Sequence, residues 1–216
     1  MKTKRLILEG LVICSILFSA RACSSQEPTT TPKEISLSDA PQVLDITGVL
    51  PPNFEHLDAV KEGYSHKDLG LSKDASEVEL YASGEPYGII YTYLAIYEKR
   101  TQQIDIDTLL KDDEQAKYFT EQNIKALARK EGLEIGAPNI EVTHPTIGDL
   151  AVFVEGSITS VGTIHCFDCL NFKVGQVYVF IYSIYFGSNR LSLIPIAHEI
   201  EQNIAKFRPT VGENKN

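Results

Sequence analysis

The chain has 216 residues, of which 43% are hydrophobic, enough to bury the core of one domain with additional segments. Its 29 acidic residues outnumber its 20 basic residues and give a net charge of −9. An acidic chain repels phosphate backbones and anionic lipid headgroups, so the composition argues against nucleic-acid binding and against membrane attachment through surface charge.

The first 22 residues follow the order of an export signal. Lys2, Lys4 and Arg5 precede an apolar stretch that runs from residue 11 to residue 20 and ends at small residues. The stretch is about ten residues long, whereas a membrane-spanning helix needs roughly 20. We therefore expect residues 1–22 to be a signal peptide, with a permanent anchor helix as the alternative.

The residues around Cys23 resemble the cleavage site of a bacterial lipoprotein signal. Ala20 and Ala22 precede the cysteine and two serines follow it, while Arg21 departs from the small or apolar residue usual at its position. The resemblance implies that cleavage makes Cys23 the first residue and that Cys23 is lipidated. Two acyl chains on this residue would anchor the protein stably, whereas one chain would not. The expected location is extracytoplasmic, on the cell membrane; a soluble secreted protein is the alternative.

Residues 23–42 are polar and carry three prolines, with too few apolar side chains to pack. This composition predicts a flexible tether, with a loop docked on the body as the alternative.

Without residues 1–22 the chain keeps 16 basic and 28 acidic residues, a net charge of −12. We therefore expect the lipid, and not the protein surface, to hold the body at the membrane.

The next segments predict strands followed by a helix. Val43 begins a short strand that two prolines interrupt, and residues 77–84 and 87–99 alternate as a hairpin. Residues 107–131 place apolar side chains on one helical face, with Asp107 or Thr108 as the cap.

The last third of the body predicts more strands and a second helix. Strand-like segments end at Pro145 and cover residues 149–159, and residues 169–187 predict a hairpin that turns between Lys173 and Gln176. Its second strand, residues 177–186, is apolar at nearly every position, which is typical of a central strand covered on both faces. From about Ser192 to Phe207, apolar residues recur at the spacing of a helix that packs on a core.

This order of elements predicts an α+β fold with a single, mostly antiparallel sheet flanked by helices, a three-layer α/β/α sandwich. The expected body covers residues 43–208, and residues 209–216 are a C-terminal tail.

Five sequence segments of the body resemble the extracytoplasmic PsbP-like sandwich domains, which occur in bacterial lipoproteins and in the photosystem II extrinsic protein PsbP. The segments are "LPPNF", "YLAIY", "IGDLAVFVEG", "FKVGQVYVFI" and "IAHEIEQNI", within residues 43–207. Gly148 and Gly175 are the most local points of likeness. The resemblance implies an assembly or accessory subunit and not an enzyme, and it transfers no ligand-binding residue.

The segment "HCFDC" is the one compact group of chemically reactive residue types. Because Cys14 leaves with the signal and Cys23 carries lipid, Cys166 and Cys169 remain as a pair, and an oxidising compartment favours a disulfide between them. Such a bond needs a turn or bulge at residues 166–169, because residues three apart in a straight strand are about 10 Å apart.

Three other interpretations of this segment stay open: two free thiols, a redox-active pair, and a metal site. A redox pair favours a helix N-terminus, which the strand-like flanks do not provide. A metal site needs three or four ligands; His165 and Asp168 are of the right type, but neighbours on one strand point to opposite faces, so a partner such as His144 is needed.

We therefore expect an accessory or binding module without catalytic activity. It is attached to the membrane by its lipid and contacts a protein partner or a small ligand, with no nucleic acid, no cofactor and no resident metal. The alternative is a thiol oxidoreductase or a metal-binding hydrolase centred on His165, Cys166 and Cys169. The chain has no sequence motif of a serine hydrolase, zinc protease or nucleotide-binding loop.

Overall fold

The computed structural model describes residues 35–63, 76, 78–84, 88–97, 100–130, 136–160, 162–186 and 190–207. The signal segment, Cys23, most of the tether and the tail at 209–216 lie outside these residues. The strands are β1 (Phe54–Leu57), β2 (Glu79–Ser83), β3 (Gly88–Ile96), β4 (Asn139–Thr143), β5 (Leu150–Ser160), β6 (Thr163–Val174) and β7 (Val177–Phe186). The helices are α1 (Ala40–Val43), α2 (Arg100–Lys111), α3 (Asp113–Lys130) and α4 (Leu193–Phe207), and a 3₁₀ turn (Leu37–Asp39) precedes α1.

The strands of the described residues form one antiparallel sheet of seven, in the order β1-β2-β3-β7-β6-β5-β4. The predicted α+β class with a single antiparallel sheet is therefore confirmed. The predicted central strand is confirmed too: β7 is the fourth of the seven strands, and it joins β6 through a tight turn at Gly175, whose φ is 60°. In the described part of the chain, no helix is both long and apolar enough to cross a membrane.

Alternation along the central strand supplies both faces of the sheet with core residues. Val179 and Ile181 pack with Ile200 and other buried residues of α4, and with the segment around α1. Phe180 and Tyr182 point the other way and pack with buried residues of α2 and α3. We call these the α4 face and the α3 face.

The helix predicted at residues 107–131 is in fact two helices that meet at Asp112. Asp112 Oδ1 accepts hydrogen bonds from the backbone N–H groups of Glu114, at 3.0 Å, and Gln115, at 3.1 Å. This carboxylate caps the N-terminus of α3, which is the position where Asp is favoured. The predicted cap at Asp107 or Thr108 is wrong, because α2 begins earlier, at Arg100.

The start of the body also differs from its prediction. Val43 ends the helix α1 and does not begin a strand, and the segment from Ile35 onward, predicted as tether up to residue 42, packs on the body. Asn203 of α4 explains this docking, because its Nδ2 donates to the carbonyl oxygens of Val43 and Asp45, each at 3.2 Å. Those bonds satisfy acceptors at the end of α1 that the short helix leaves open.

Candidate functional site

The residues of the "HCFDC" segment lie on β6, and the strand distributes them between the two faces of the sheet. Phe167 and Cys169 belong to the core of the α3 face. Asp168 points to the α4 face, where it approaches Arg190. Because successive side chains on a strand alternate, His165 shares the α3 face and Cys166 shares the α4 face.

The disulfide predicted between Cys166 and Cys169 is absent from the structure, in which both residues of this described strand carry free thiols. The physical reason is the regularity of β6: no turn or bulge brings the two side chains to one face, and three residues of strand separate them by about 10 Å. Cys169 is fully buried and accepts a hydrogen bond from Asn171 Nδ2 at 3.2 Å. Burial raises the pKa of its thiol to about 12, so Cys169 is not a nucleophile at neutral pH.

The geometry of β6 also argues against a metal site in this segment. His165 and Cys169 are on one face but four strand residues apart, about 13 Å, with Phe167 between them. His144 uses both ring nitrogens elsewhere, at 2.9 Å from Asp113 Oδ1 and 3.0 Å from the carbonyl oxygen of Ala151. Across the residues that the structure describes, no group of three or more His, Cys, Asp or Glu side chains is arranged to hold a metal ion.

The strand register brings together a set of polar residues that lie far apart in the sequence. Glu141 of β4 stands opposite Glu155 of β5, Glu155 stands opposite Asp168 of β6, and Asp168 stands opposite Ser183 of β7. Directly opposed residues point to the same side of a sheet, so all four side chains lie on the α4 face. We call these four residues the acidic row.

The acidic row marks a change in the chemistry of the α4 face. One step further along the strands, the corresponding positions on β5, β6 and β7 are Phe153, Leu170 and Ile181, which contribute to the apolar core packed against α4. The face is therefore apolar beneath α4 and becomes acidic at this row. Its outer member, Glu141, is exposed, and Glu155 retains 40% of its side-chain exposure.

Arg190, in the segment that leads into α4, lies against this row. Its Nη1 is 3.3 Å from Glu155 Oε1 and 3.4 Å from Asp168 Oδ1, and its Nη2 donates to the carbonyl oxygen of Gly156 at 2.7 Å. Charge-assisted N–H···O bonds are typically about 2.7–2.9 Å long. The bond to Gly156 falls within this range, whereas the contacts with Glu155 and Asp168 are longer. Arg190 therefore makes a short hydrogen bond to the backbone of β5 and longer contacts with the carboxylates of Glu155 and Asp168.

One buried carboxylate oxygen of the row, Asp168 Oδ1, makes no hydrogen bond within the described structure and has Arg190 Nη1 as its charged contact, at 3.4 Å. The side chain of Asp168 is only 4% exposed, and Ser183 is fully buried. Burial raises the pKa of Asp168 to about 6, against the opposing effect of Arg190, and the neighbouring Glu155 raises it further. The row can therefore exchange a proton near neutral pH and can accept hydrogen bonds from a cationic donor.

Of the residues identified from the sequence, the acidic row contains Asp168. Cys166 lies on the same face of β6, outside the row, and His165 and Cys169 lie on the other face. The sequence argument missed Glu141, Glu155, Ser183 and Arg190. The sequence did contain one signal, Asp168. An aspartate within a strand of apolar residues indicates a buried carboxylate that needs a partner. The partner itself depends on strand register, which the sequence does not specify.

The comparisons with known proteins assign the chain to no family. No family model matches it, and no curated protein matches it. Among solved structures it is similar to LpqN, involved in cell envelope biogenesis of Mycobacterium tuberculosis, with a TM-score of 0.33 and 12% sequence identity over 71% of this chain and 78% of that chain. A TM-score this low supports no inference about function.

Proposed function

We propose that the protein is a lipid-anchored, extracytoplasmic accessory or binding module without catalytic activity. The observation that carries the proposal is the position of Cys23, directly after a short apolar run with small residues at its end and directly before a polar stretch. This arrangement supports cleavage before Cys23 and acylation of that residue.

The dimensions of the chain fit a body held near a membrane. Eleven residues, 24–34, separate Cys23 from Ile35, where the described body begins, and they span at most about 40 Å when fully extended. Asn203 fixes the following segment to α4. The net charge of −12 after removal of residues 1–22 repels anionic lipid, so the lipid on Cys23 is the membrane contact and the body remains available for a partner.

The acidic row is the part of the body that we propose as the contact for a protein partner or a small ligand. It combines a buried carboxylate whose oxygen lacks a hydrogen bond within the described structure with more exposed carboxylates at its outer end. Unsatisfied buried polar groups reduce stability, and proteins retain them most often where they serve a function. Nucleic acid is disfavoured as the partner because its phosphates are repelled by these carboxylates.

The finer description of the fold is also a proposal. Helical residues pack on both faces of the sheet, which supports a three-layer α/β/α sandwich of the PsbP-like kind. An accessory role is what that resemblance implies.

The alternative, a thiol oxidoreductase or metal-binding hydrolase, loses support from the position of its residues. His165 and Cys169 lie on the opposite face of β6 from Cys166, and the buried thiol of Cys169 has its pKa raised to about 12. We therefore propose no catalytic centre at these three residues.

Membrane fractionation of a bacterium that expresses the full chain tests the anchor. We expect the unchanged protein and the variant Cys14→Ala in the membrane fraction, because Cys14 lies in the part that is removed. The variant Cys23→Ala should lose metabolic labelling with a fatty acid and should not be processed at this site. Equal fatty-acid labelling of the Cys23→Ala and Cys14→Ala variants would overturn the proposal.

A further inference from the structure

Two ion pairs connect the junction of α2 and α3 to the sheet. On the α2 side, Lys173 of β6 pairs with Asp107. On the α3 side, His144, which directly follows β4, pairs with Asp113, with 2.9 Å between Nε2 and Oδ1. We call the junction, residues 107–114, the elbow. Histidine is the residue type whose charge ordinarily changes within the physiological pH range, so the contact with His144 is the one to examine for a response to pH.

Both ring nitrogens of His144 face acceptors. Nδ1 lies 3.0 Å from the carbonyl oxygen of Ala151 in β5, and Nε2 faces the carboxylate of Asp113. A neutral imidazole carries one N–H group, so it can make only one of these two hydrogen bonds and turns a lone pair toward the other oxygen. The imidazolium has two N–H groups and donates both bonds. The arrangement of the two acceptors is therefore specific to the charged ring.

We propose that His144 is a pH-dependent latch, which holds the elbow on β5 when its ring is protonated and releases it when the ring is neutral. The protonated ring links the backbone of β5 to the first turn of α3, and loss of one proton breaks one of the two bonds. The elbow is a place where the chain can move, because α2 and α3 are separate helices that meet at Asp112. It also borders an open depression of about 800 Å³, which Asp113 helps to line.

Asp113 is the charged group that acts on the ring. Its hydrogen bond raises the pKa of His144, burial opposes this effect, and the carbonyl oxygen of Ala151 and the charge of Asp113 raise the pKa further. Further charged side chains on the surrounding described elements are Asp107, Lys111, Asp112, Glu114 and Lys117 on the two helices and the elbow, Glu141 on β4, Asp149 and Glu155 on or beside β5, and Lys173 on β6.

The latch stabilises the elbow at low pH. Because the pKa of His144 is raised above its ordinary value of 6.5, the contribution of the ring is fully present below about pH 6.5 and is lost as pH rises through the raised pKa. The side chains of His144 and Asp113 are 43% and 55% exposed. The effect therefore has the size of a surface ion pair, about two- to fivefold in a local opening equilibrium.

Nuclear magnetic resonance of the histidine ring signals of the full chain measures protonation directly. The signal of His144, identified by its loss in His144→Gln, should titrate with a midpoint above pH 6.5, and Asp113→Asn should lower that midpoint. His56 is the matched control, because it pairs with Glu79 at the opposite edge of the sheet, and its midpoint should be the same in Asp113→Asn. A midpoint of His144 at or below pH 6.5, or one that Asp113→Asn leaves unchanged, would overturn the proposal.

Amide hydrogen exchange tests whether protonation of the ring controls the elbow. The amide of Ala116, which donates to the carbonyl oxygen of Asp112 at 2.9 Å, reports on the first turn of α3. Its protection factor should fall about two- to fivefold between pH 5.5 and pH 8, relative to amides of β7. The comparison with β7 corrects for the change in global stability that Asp168 contributes.

The same variants separate the latch from other effects of pH. The fall in protection should disappear in His144→Gln and persist in His56→Gln, and circular dichroism verifies that each variant is folded. If His144→Gln does not fold, Asp113→Asn makes the same comparison, because that side chain is 55% exposed. No fall in the unchanged protein, or an equal fall in the folded latch variant, would refute the latch. None of these measurements depends on Cys23, so a failure here is distinct from a failure of the lipid-anchor proposal.

Discussion

Asp168 and Ser183 stand directly opposite each other on β6 and β7, and within the described structure the buried Asp168 Oδ1 makes no hydrogen bond and contacts Arg190 at 3.4 Å. The free energy of folding therefore includes the cost of burying this carboxylate, which the contact with Arg190 offsets only in part. Because its pKa is shifted, the carboxyl of Asp168 contributes to the dependence of stability on pH.

Asp168→Asn should raise the free energy of unfolding above about pH 6 and have little effect near pH 4. Burial raises the pKa of Asp168 from 3.8 to about 6, so the folded state binds this proton more tightly than the unfolded state. The contribution of Asp168 therefore lowers stability progressively as pH rises from about 4 to about 6, by about 3 kcal/mol at most.

Urea unfolding of the two proteins across this pH range measures the effect, because the difference between their stabilities isolates Asp168 from other titrating groups. A difference that does not change between pH 4 and pH 7 would show that the pKa of this carboxyl is not raised in the folded state.

In the native protein, a thiol reagent should modify Cys166 and leave Cys169 unmodified. Cys166 is partly exposed beside Arg190, whereas Cys169 is fully buried and has its pKa raised to about 12. Peptide mapping after alkylation, with and without denaturant, identifies the modified residue. Cys166→Ser should abolish native labelling of the body. Recovery of a peptide in which Cys166 and Cys169 are linked would contradict the free thiols seen in β6.

Gly156→Ala should destabilise the protein by about 1–3 kcal/mol. A Cβ atom at this position would lie 2.4 Å from the carbonyl oxygen of Asn139 and 2.4 Å from the ring of Phe167, so strands β4, β5 and β6 would have to shift. Gly48→Ala is the matched control, because a Cβ there has no atom within 4 Å. Thermal unfolding compares the two variants, and equal midpoints would refute the close packing at Gly156.

Asn203→Ala should loosen the segment that leads from the tether into the body. The variant removes the donor to the carbonyl oxygens of Val43 and Asp45 and costs about 2 kcal/mol. Hydrogen–deuterium exchange should increase at residues 37–47 and remain unchanged in β7. Gln202→Ala, an exposed neighbour on α4, is the control. If both variants exchange alike, Asn203 does not secure this segment.

The sequence predicted those parts of the fold that depend on local patterns. The continuous apolar run of β7 indicated a strand covered on both faces, and the periodic apolar residues of α4 indicated a helix that packs on the sheet. Both follow from short-range spacing, which a single sequence displays.

The sequence could not predict the features that depend on distant residues. A shift of one residue in register would exchange the two faces of a strand, so the alignment of Glu141, Glu155 and Asp168 could not be derived from their positions in the sequence. The break at Asp112 depends on a competition between a capping carboxylate and the continuation of a helix, and the periodicity of apolar residues does not reveal that competition. The docking of α1 likewise depends on Asn203, about 160 residues away.

The most direct test of the central claim is the intact mass of the N-terminal peptide from protein isolated in its native membrane. The account predicts a chain that begins at Cys23 and carries acyl groups on that residue. A chain that begins at Met1, without acylation and recovered from the cytosol, would contradict both the proposed location and the proposed role.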